Sequence, residues 1–168
     1  ERGILYSEML AVCAVCEALD VEVIIESGRC RGQSTRVLAK YFQGRPVRLI
    51  SVEWERGADE AAARRRLAPY GHIELLHGDS RRLVPRLVSG LRGRRAALLV
   101  DGPKGEPAAE LIQACLRRSD TLAAVFVHDV RPPTPMRELV AAQFARVFFT
   151  EDPEYVRTYA FLDEACRP

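Results

Sequence analysis

The sequence lacks any long apolar segment. None of its hydrophobic runs approaches the roughly 20 residues that a membrane-spanning helix needs, so a membrane protein is not expected. The start of the chain shows no secretory signal pattern. Five cysteines are an odd number, and their spacing fits no disulfide framework. We therefore expect a reducing, cytoplasmic setting.

The sequence also lacks an excess of charge of either sign. Its 25 Lys and Arg residues and 23 Asp and Glu residues leave a formal net charge of +2. The basic residues are spread over many segments, and clusters such as Arg64–Arg66 are interpreted as solvated faces, so a nucleic-acid partner is not expected. With 168 residues, 48% of them hydrophobic, and no internal repeat or linker, the sequence predicts one globular domain over residues 1–168.

The cysteine and histidine spacings indicate no separate metal or redox centre. Cys13 and Cys16 form a Cys-x-x-Cys pair, but it has no second pair and no turn residues between its members. Packing in the core of a helix is therefore favoured over a redox pair or half of a zinc site. His72 and His77 flank the third predicted strand and are interpreted as surface or structural residues.

Strand-like apolar runs alternate with helix-like segments, which is typical of a parallel sheet covered by helices on both faces. One helix precedes the first strand. Strands are predicted near 22–27, 47–53, 73–77, 95–101 and 122–128, and helices near 33–43, 57–69, 80–91, 105–118 and 135–145.

The end of the chain has a different pattern. Residues 146–150 and 155–162 have strand-like composition, and the link between them is too short for a parallel crossover, so it predicts an antiparallel hairpin. The fold expected from the whole pattern is α/β. It is a Rossmann-like, doubly wound sheet of seven strands, mostly parallel, with an antiparallel last strand.

The turn after the first strand is suited to a nucleotide cofactor. Glu26 lies near the end of the strand, and Gly28 and Gly32 follow it, four residues apart. Glycines let the backbone turn tightly and approach a ligand closely. Ser34 and Thr35 lie near the start of the next helix, where free N–H groups attract an anion. A tight strand-to-helix connection is the alternative explanation of the two glycines.

Polar residues also follow the second and third strands, where doubly wound sheets bind ligands. Glu53 is suited to accept hydrogen bonds from both hydroxyls of a ribose, a group that NAD and S-adenosylmethionine share. Trp54 could lie against an adenine or cover the edge of the sheet. Asp79 or Ser80 could cap the following helix, with or without a bond to the adenine amino edge.

The fourth and fifth strands end in Asp101 and in His128-Asp129. Because these strands are expected to be neighbours, their ends should share one crevice, and the three side chains suit a divalent ion such as Mg²⁺, Mn²⁺ or Zn²⁺. Two carboxylates buried there without a cation would be costly. Lys104 is the alternative source of that positive charge.

These motifs resemble those of class I S-adenosylmethionine-dependent methyltransferases. The similarity is to the catechol-type and macrocin O-methyltransferases and the cephalosporin hydroxylase-like proteins, over residues 20–130. The spacing Glu26-x-Gly28-x-x-x-Gly32-x-Ser34 matches the first motif of that group. The resemblance implies contacts to the methionine portion from the glycines and Ser34, to the ribose from Glu53, and to the adenine region from Ser80. Together, motifs and resemblance predict cofactor contacts from Glu26, Gly28, Gly32, Ser34, Glu53, Trp54, Asp79, Ser80 and Asp101.

The second part of the resemblance concerns the reaction. Asp101-x-x-Lys104 is similar to the fourth-strand motif of the group, which implies that Asp101 binds metal and Lys104 acts as general base on the acceptor hydroxyl. His128-Asp129 falls where the group carries Asp-Asn or a similar pair of metal ligands. Histidine in place of a carboxylate favours Zn²⁺ or Mn²⁺ over Mg²⁺.

The predicted function is therefore S-adenosylmethionine-dependent O-methylation of a small molecule with divalent-metal assistance. An NAD-dependent oxidoreductase is one alternative, although such a protein would normally have a third glycine in the loop and a parallel sixth strand. A non-catalytic cofactor-binding protein is another, because Arg29 and Arg31 are bulky residues in the glycine turn and the acceptor cap is short. A partner subunit could supply that cap, and the hairpin edge and the apolar first helix are candidate surfaces for a homo-oligomer.

Overall fold

The computed structural model describes residues 3–143 and 146–165. Within them, one sheet is formed by β1 (Val23–Ser27), β2 (Arg48–Glu53), β3 (Ile73–His77), β4 (Ala96–Val100) and β5 (Leu122–Val127). Its strand order is β3-β2-β1-β4-β5, and every pairing is parallel. The Rossmann-like, doubly wound arrangement expected from the sequence is therefore confirmed.

Helices connect the strands and continue beyond the last one. They are α1 (Tyr6–Ala18), α2 (Gln33–Tyr41), α3 (Ala58–Leu67), α4 (Ser80–Ser89), α5 (Glu106–Leu116), α6 (Pro135–Gln143), α7 (Pro153–Tyr159) and α8 (Phe161–Ala165). Among the described residues, no helix combines the length and hydrophobicity needed to cross a bilayer.

The hydrophobic core lies on both faces of the sheet. In β1, Val23 and Ile25 pack in a cluster with residues of α4 and α5, whereas Ile24 packs with residues of α1 and α2. All three are at most 1% exposed. Successive side chains of a strand point to opposite faces, so a strand covered on both sides must be apolar throughout. Each isoleucine buried in this way contributes about 1.5–3 kcal/mol.

The predicted antiparallel hairpin is wrong. Residues 146–150 form no strand, and the second segment forms α7 and α8. The carboxylate of Asp152 accepts a hydrogen bond from the Glu154 amide at 2.9 Å, and Pro153 occupies the first turn of α7. These are signals of a helix start, and they outweigh the strand-like composition of the residues that follow. Within the described residues the sheet therefore has five strands and ends at β5.

The last two helices pack against the beginning of α1 instead of extending the sheet. The Asp163 carboxylate accepts hydrogen bonds from the Ser7 amide at 2.9 Å and from the Ser7 hydroxyl at 2.7 Å. The Tyr155 hydroxyl donates to the Ser7 carbonyl at 2.5 Å. This contact fixes the first turn of α1, which also contains Glu8.

The Cys-x-x-Cys pair belongs to the core of α1, as the sequence predicts. Cys13 and Cys16 are 2% and 1% exposed. Burial raises the pKa of Cys13 to about 11 and that of Cys16 to about 12. Because the thiolate is the form that binds metals and attacks disulfides, both residues are poorly suited to either role.

Candidate active site

The glycine turn after β1 lies directly against the loop after β4. The amides of Asp101 and Gly102 donate to the Ser27 carbonyl at 2.8 and 2.9 Å. Gly28 has a φ of +91°, and a Cβ at this position would lie 2.5 Å from the Gly102 nitrogen. Glycine is therefore required here by its positive φ and by the close approach of a second backbone. The same contacts hold Asp101 beside the turn.

Gly32 ends the turn and begins α2. Its φ is +76°, and an added Cβ would lie 3.2 Å from the Cβ of Ala63 and 3.1 Å from a methyl group of Leu67, both in α3. As the N-cap of α2, Gly32 supplies no side-chain acceptor. The first N–H groups of α2 therefore suit an anionic ligand group, such as a carboxylate.

Glu26 connects the first turn of α2 to the neighbouring strand. Its side chain is fully buried and accepts hydrogen bonds from the hydroxyls of Ser34 and Ser51, each at 2.5 Å, and of Thr35. Burial raises the pKa of Glu26, and the three donors oppose that shift. With its oxygens covered, Glu26 can act on a cofactor by positioning α2, whereas its predicted direct contact stays a prediction.

Glu53 holds the glycine turn from the end of β2. One carboxylate oxygen accepts the amides of Arg29 and Cys30 at 2.9 and 2.6 Å, and the other accepts the amide of Glu55 at 2.8 Å. A carboxylate offers about four lone-pair positions. Without rearrangement, one position is left for a ribose hydroxyl, whereas the sequence prediction assumed two.

The two arginines of the turn pair with acidic residues of α3. Arg29 is fully buried, donates to the Ser51 carbonyl at 2.7 Å and forms an ion pair with Glu60 at 2.7 Å. Arg31 is about half exposed and pairs with Asp59 at 3.3 Å. Arg29 is therefore a structural anchor beneath the turn, a role that the sequence reading missed because it considered only the bulk of the side chain.

The residues predicted to meet the adenine lie in different surroundings. Trp54 is 64% exposed, so it does not serve to cover the sheet edge. Asp79 caps α4 by accepting the Arg81 amide at 2.9 Å, as predicted, and the Arg81 side chain lowers its pKa through a further hydrogen bond. Ser80 follows as the first residue of α4 and is buried. Their contacts with an adenine stay predictions.

The two other histidines have structural partners. The His72 ring nitrogen Nε2 lies 3.1 Å from the Ala39 carbonyl, and the exposed His77 accepts a hydrogen bond from Arg56 at 2.9 Å. Both arrangements agree with the surface or structural roles predicted for them.

The ends of β4 and β5 bring together the predicted metal-binding side chains. Asp101 Oδ1 lies 2.7 Å from His128 Nδ1, and possible ligand atoms of Asp101, His128 and Asp129 all lie within 4.8 Å of one another. Lys104 lies among them. Its Nζ is 2.6 Å from Asp101 Oδ1, 2.8 Å from Asp129 Oδ2 and 3.3 Å from His128 Nδ1.

The charges of this cluster stabilise one another. Burial raises the pKa of Asp101, but hydrogen bonds from His128 and Lys104 outweigh it, so the pKa is lowered. The hydrogen bond to Asp101 is the main cause of a raised pKa at His128. Lys104 likewise lowers the pKa of Asp129. The bond to Asp101 favours a proton on His128 Nδ1, which leaves Nε2 as the free nitrogen of the neutral ring.

Glu8 is a further member of the site. Its Oε2 lies 3.6 Å from His128 Nε2 and also accepts the Leu5 amide at 2.8 Å. The packing of α7 and α8 on Ser7 holds this first turn of α1 in place. No sequence signal identified Glu8, because it precedes the first strand and approaches His128 only in the folded chain.

The donor chemistry of Asp101, His128 and Asp129 suits a divalent ion. The position of Lys104 does not, because its ammonium contacts the donor atoms to which an ion would have to bind. These residues therefore do not fit a metal ion while Lys104 stays in this position.

A family model described as "Methyltransferase domain" matches residues 25–130. The match covers more than half of the chain and includes the glycine turn, Glu53 and the whole Asp101–Asp129 segment. The chain belongs to this methyltransferase-domain family. A search of curated proteins finds no match to it.

Solved structures share the fold of this methyltransferase domain. The O-methyltransferase TomG from Streptomyces achromogenes, in complex with S-adenosylmethionine, is 21% identical with a TM-score of 0.62, over 83% of this chain and 67% of TomG. An S-adenosylhomocysteine-bound methyltransferase from Podospora anserina is 16% identical with a TM-score of 0.58, over 72% of this chain and 51% of that one. An rRNA methylase from Streptococcus thermophilus is 17% identical with a TM-score of 0.57, over 88% and 87%.

The domain is shorter than several of the proteins it resembles. It spans 60% of a calicheamicin methyltransferase, at 18% identity and a TM-score of 0.53, and about half of the Podospora protein. At these identities the likeness shows a common fold, and the acceptors of these proteins do not transfer to this chain.

Proposed function

We propose that this domain transfers a methyl group from S-adenosylmethionine to an oxygen of a small molecule. The observation that carries the proposal is the backbone junction between the glycine turn and the loop after β4. Two amides of that loop bond to the Ser27 carbonyl, so the cluster of Lys104, Asp101 and His128 lies beside the candidate cofactor turn. A nucleotide cofactor and proton-transferring groups would then share one crevice.

The cofactor side of this crevice is assigned as follows. The uncapped N-terminus of α2 receives the carboxylate of the methionine portion, because its N–H groups and its dipole favour an anion. The remaining acceptor position of Glu53 receives a ribose hydroxyl. The exposed ring of Trp54 stacks on the adenine, and Ser80 at the start of α4 contacts the adenine region. The structures of TomG and of the Podospora protein, with S-adenosylmethionine and S-adenosylhomocysteine respectively, support this choice of cofactor.

In the reaction, the acceptor oxygen forms a bond to the methyl carbon as the carbon–sulfur bond breaks, which releases S-adenosylhomocysteine. The positively charged sulfur already activates the methyl group, so the protein has to align the acceptor and remove its proton. Asp101 holds Nδ1–H of His128 at 2.7 Å and thereby directs Nε2 to accept the proton. Lys104, predicted from the resemblance as the base, already donates to two carboxylates, and in this proposal it stabilises the developing oxyanion.

The acceptor would enter between the loop after β5 and the first turn of α1. Asp129 and Glu8 lie on opposite sides of His128, and Tyr155 of α7 is anchored to the same turn of α1. The C-terminal helices thus provide part of the cap, which the sequence analysis expected to be short or to come from a partner subunit. A homo-oligomer through the apolar residues of α1 stays a proposal, whereas the hairpin edge is no longer a candidate surface.

The alternatives differ from this proposal in specific features. An NAD-dependent oxidoreductase is disfavoured by the missing third glycine of the turn and by β5 being the last strand in the described part of the chain. A non-catalytic binding protein loses one supporting argument, because Arg29 is buried and does not obstruct the turn.

The test is release of S-adenosylhomocysteine from S-adenosylmethionine in the presence of catechols, phenols and aliphatic alcohols. We expect product with the wild type and with Lys40→Met, which alters the only other lysine, an exposed residue of α2. Asp101→Asn should reduce turnover at least tenfold, because it disturbs the bond that orients His128. Cofactor binding without product from any acceptor would favour the non-catalytic protein, and binding of NADH instead would favour the oxidoreductase.

A further inference from the structure

Lys104 forms more contacts in the cluster than a general base needs. Its ammonium bonds to Asp101 at 2.6 Å and to Asp129 at 2.8 Å, and both carboxylates lie near His128 Nδ1. These are the distances of charge-assisted hydrogen bonds. Both carboxylates therefore already share one cation from this chain.

We propose that Lys104 is the permanent cation of this site and takes the place of a divalent metal ion, so that methyl transfer requires no metal. The proposal rests on the proposed function only in placing this cluster at the methyl acceptor. Without Lys104, the same three side chains form a metal site.

The charge balance supports this substitution. Asp101, Asp129 and the Lys104 ammonium leave a net charge of −1, and the nearby Glu8 carboxylate brings it to −2. The ammonium contacts the two carboxylates that a divalent ion would need, so the ion and the ammonium compete for the same oxygen atoms. When the ammonium is removed, the two carboxylates match the charge of one divalent ion, and the imidazole adds a nitrogen ligand.

The backbone at Asp101 and His128 is held by contacts that do not involve Lys104. The Asp101 amide donates to the Ser27 carbonyl at 2.8 Å, and the His128 amide donates to the Val100 carbonyl at 3.0 Å. The Lys104 side chain is 46% exposed and contributes little to the core. A variant lacking the ammonium should therefore fold and keep the donor set together.

The experiment is a titration of chelator-treated protein with Mn²⁺, followed by electron paramagnetic resonance and by calorimetry. Lys104→Met removes the ammonium and keeps an unbranched side chain, and Lys40→Met is the matched control. We expect that neither the wild type nor the control binds Mn²⁺ at millimolar concentration. Lys104→Met should bind Mn²⁺ with a dissociation constant at least about tenfold below that range. Adding Asp129→Asn to Lys104→Met should remove the gained binding, which would locate the ion at this cluster.

Two outcomes would overturn the proposal. Mn²⁺ binding by the wild type as tight as by Lys104→Met would show that lysine and metal coexist. The absence of Mn²⁺ binding in every variant would show that removing the Lys104 ammonium does not create a metal site. On the same samples, quenching of Trp54 fluorescence by S-adenosylmethionine tests the proposed function separately. If methyl transfer is found, a chelator should leave the wild-type rate unchanged, and a rate restored only by added metal would refute the claim.

Discussion

The contact between Gly28 and Gly102 gives the most quantitative prediction. In Gly28→Ala, the new methyl group would lie 2.5 Å from a backbone nitrogen at a φ of +91°. Gly44→Ala is the matched control, since its φ is +78° and nothing lies within 4 Å of its added Cβ. Alanine at a positive φ costs about 1–2 kcal/mol at either position. The clash adds about 1–3 kcal/mol of overpacking at Gly28 alone, for a total of about 2–5 kcal/mol.

The assay is urea denaturation of both variants, which gives the free energy of unfolding, together with Trp54 fluorescence during titration with S-adenosylmethionine. Gly28→Ala should be the less stable variant and should bind the cofactor more weakly, because the turn and the Asp101 loop must separate. Gly44→Ala should bind like the wild type. Equal stability and equal binding of the two variants would refute the claim that the close approach of these loops builds the site.

Three further variants test individual residues. Trp54→Ala should change the free energy of unfolding by less than about 0.5 kcal/mol, since the ring is 64% exposed, but should weaken cofactor binding by about 1–3 kcal/mol if the ring stacks on adenine. Arg29→Met should cost about 1.5–3 kcal/mol in urea denaturation because it removes the buried, charged hydrogen bond to the Ser51 carbonyl, although Glu60 keeps its ion pair with Arg64, whereas Arg31→Met should be nearly neutral. The hydrogen bond to Asp101 raises the pKa of His128 in the folded protein above 6.5, its value in the unfolded chain. The pairing therefore contributes its full stabilisation at pH values below 6.5. This stabilisation is lost as the pH rises through the pKa of the folded state. In Asp101→Asn that loss of stability at rising pH should be smaller.

Each of these predictions has a contradicting result. Unchanged calorimetric affinity for the cofactor in Trp54→Ala would remove the ring from the site. Equal stabilities of Arg29→Met and Arg31→Met would mean that the buried Arg29 side chain does not anchor the turn. The free energy of unfolding should be measured on both sides of neutral pH. If it depends on pH in the same way in Asp101→Asn and in the wild type, the Asp101 contact does not stabilise the proton on His128.

The sequence predicts the sheet well because its strands are buried on both faces. A run such as Val23-Ile24-Ile25 has little alternative to a covered parallel strand, and a polar residue after each run marks the edge where ligands bind. For the same reason the proximity of Asp101, His128 and Asp129 follows from strand order alone. The position of the Lys104 side chain does not follow from the sequence, because spacing alone does not determine where a half-exposed side chain lies.

Predictions failed or were missing where long-range contacts decide the structure. Val147, Phe148 and Val156 have the composition of strand residues, yet they are exposed and line no sheet. The start of α7 at Asp152-Pro153 was a local signal that the hairpin interpretation treated as a link. The position of Glu8 beside His128 depends on the packing of the C-terminal helices against α1, which no local pattern encodes.

The most direct test of the account is calorimetric titration of the chelator-treated domain with S-adenosylmethionine and S-adenosylhomocysteine, repeated with Mg²⁺, Mn²⁺ and Zn²⁺. The account predicts micromolar binding of both compounds without metal, and the same affinity when a metal is added. No binding under any of these conditions would contradict it, because the glycine turn would then be only a connection between a strand and a helix.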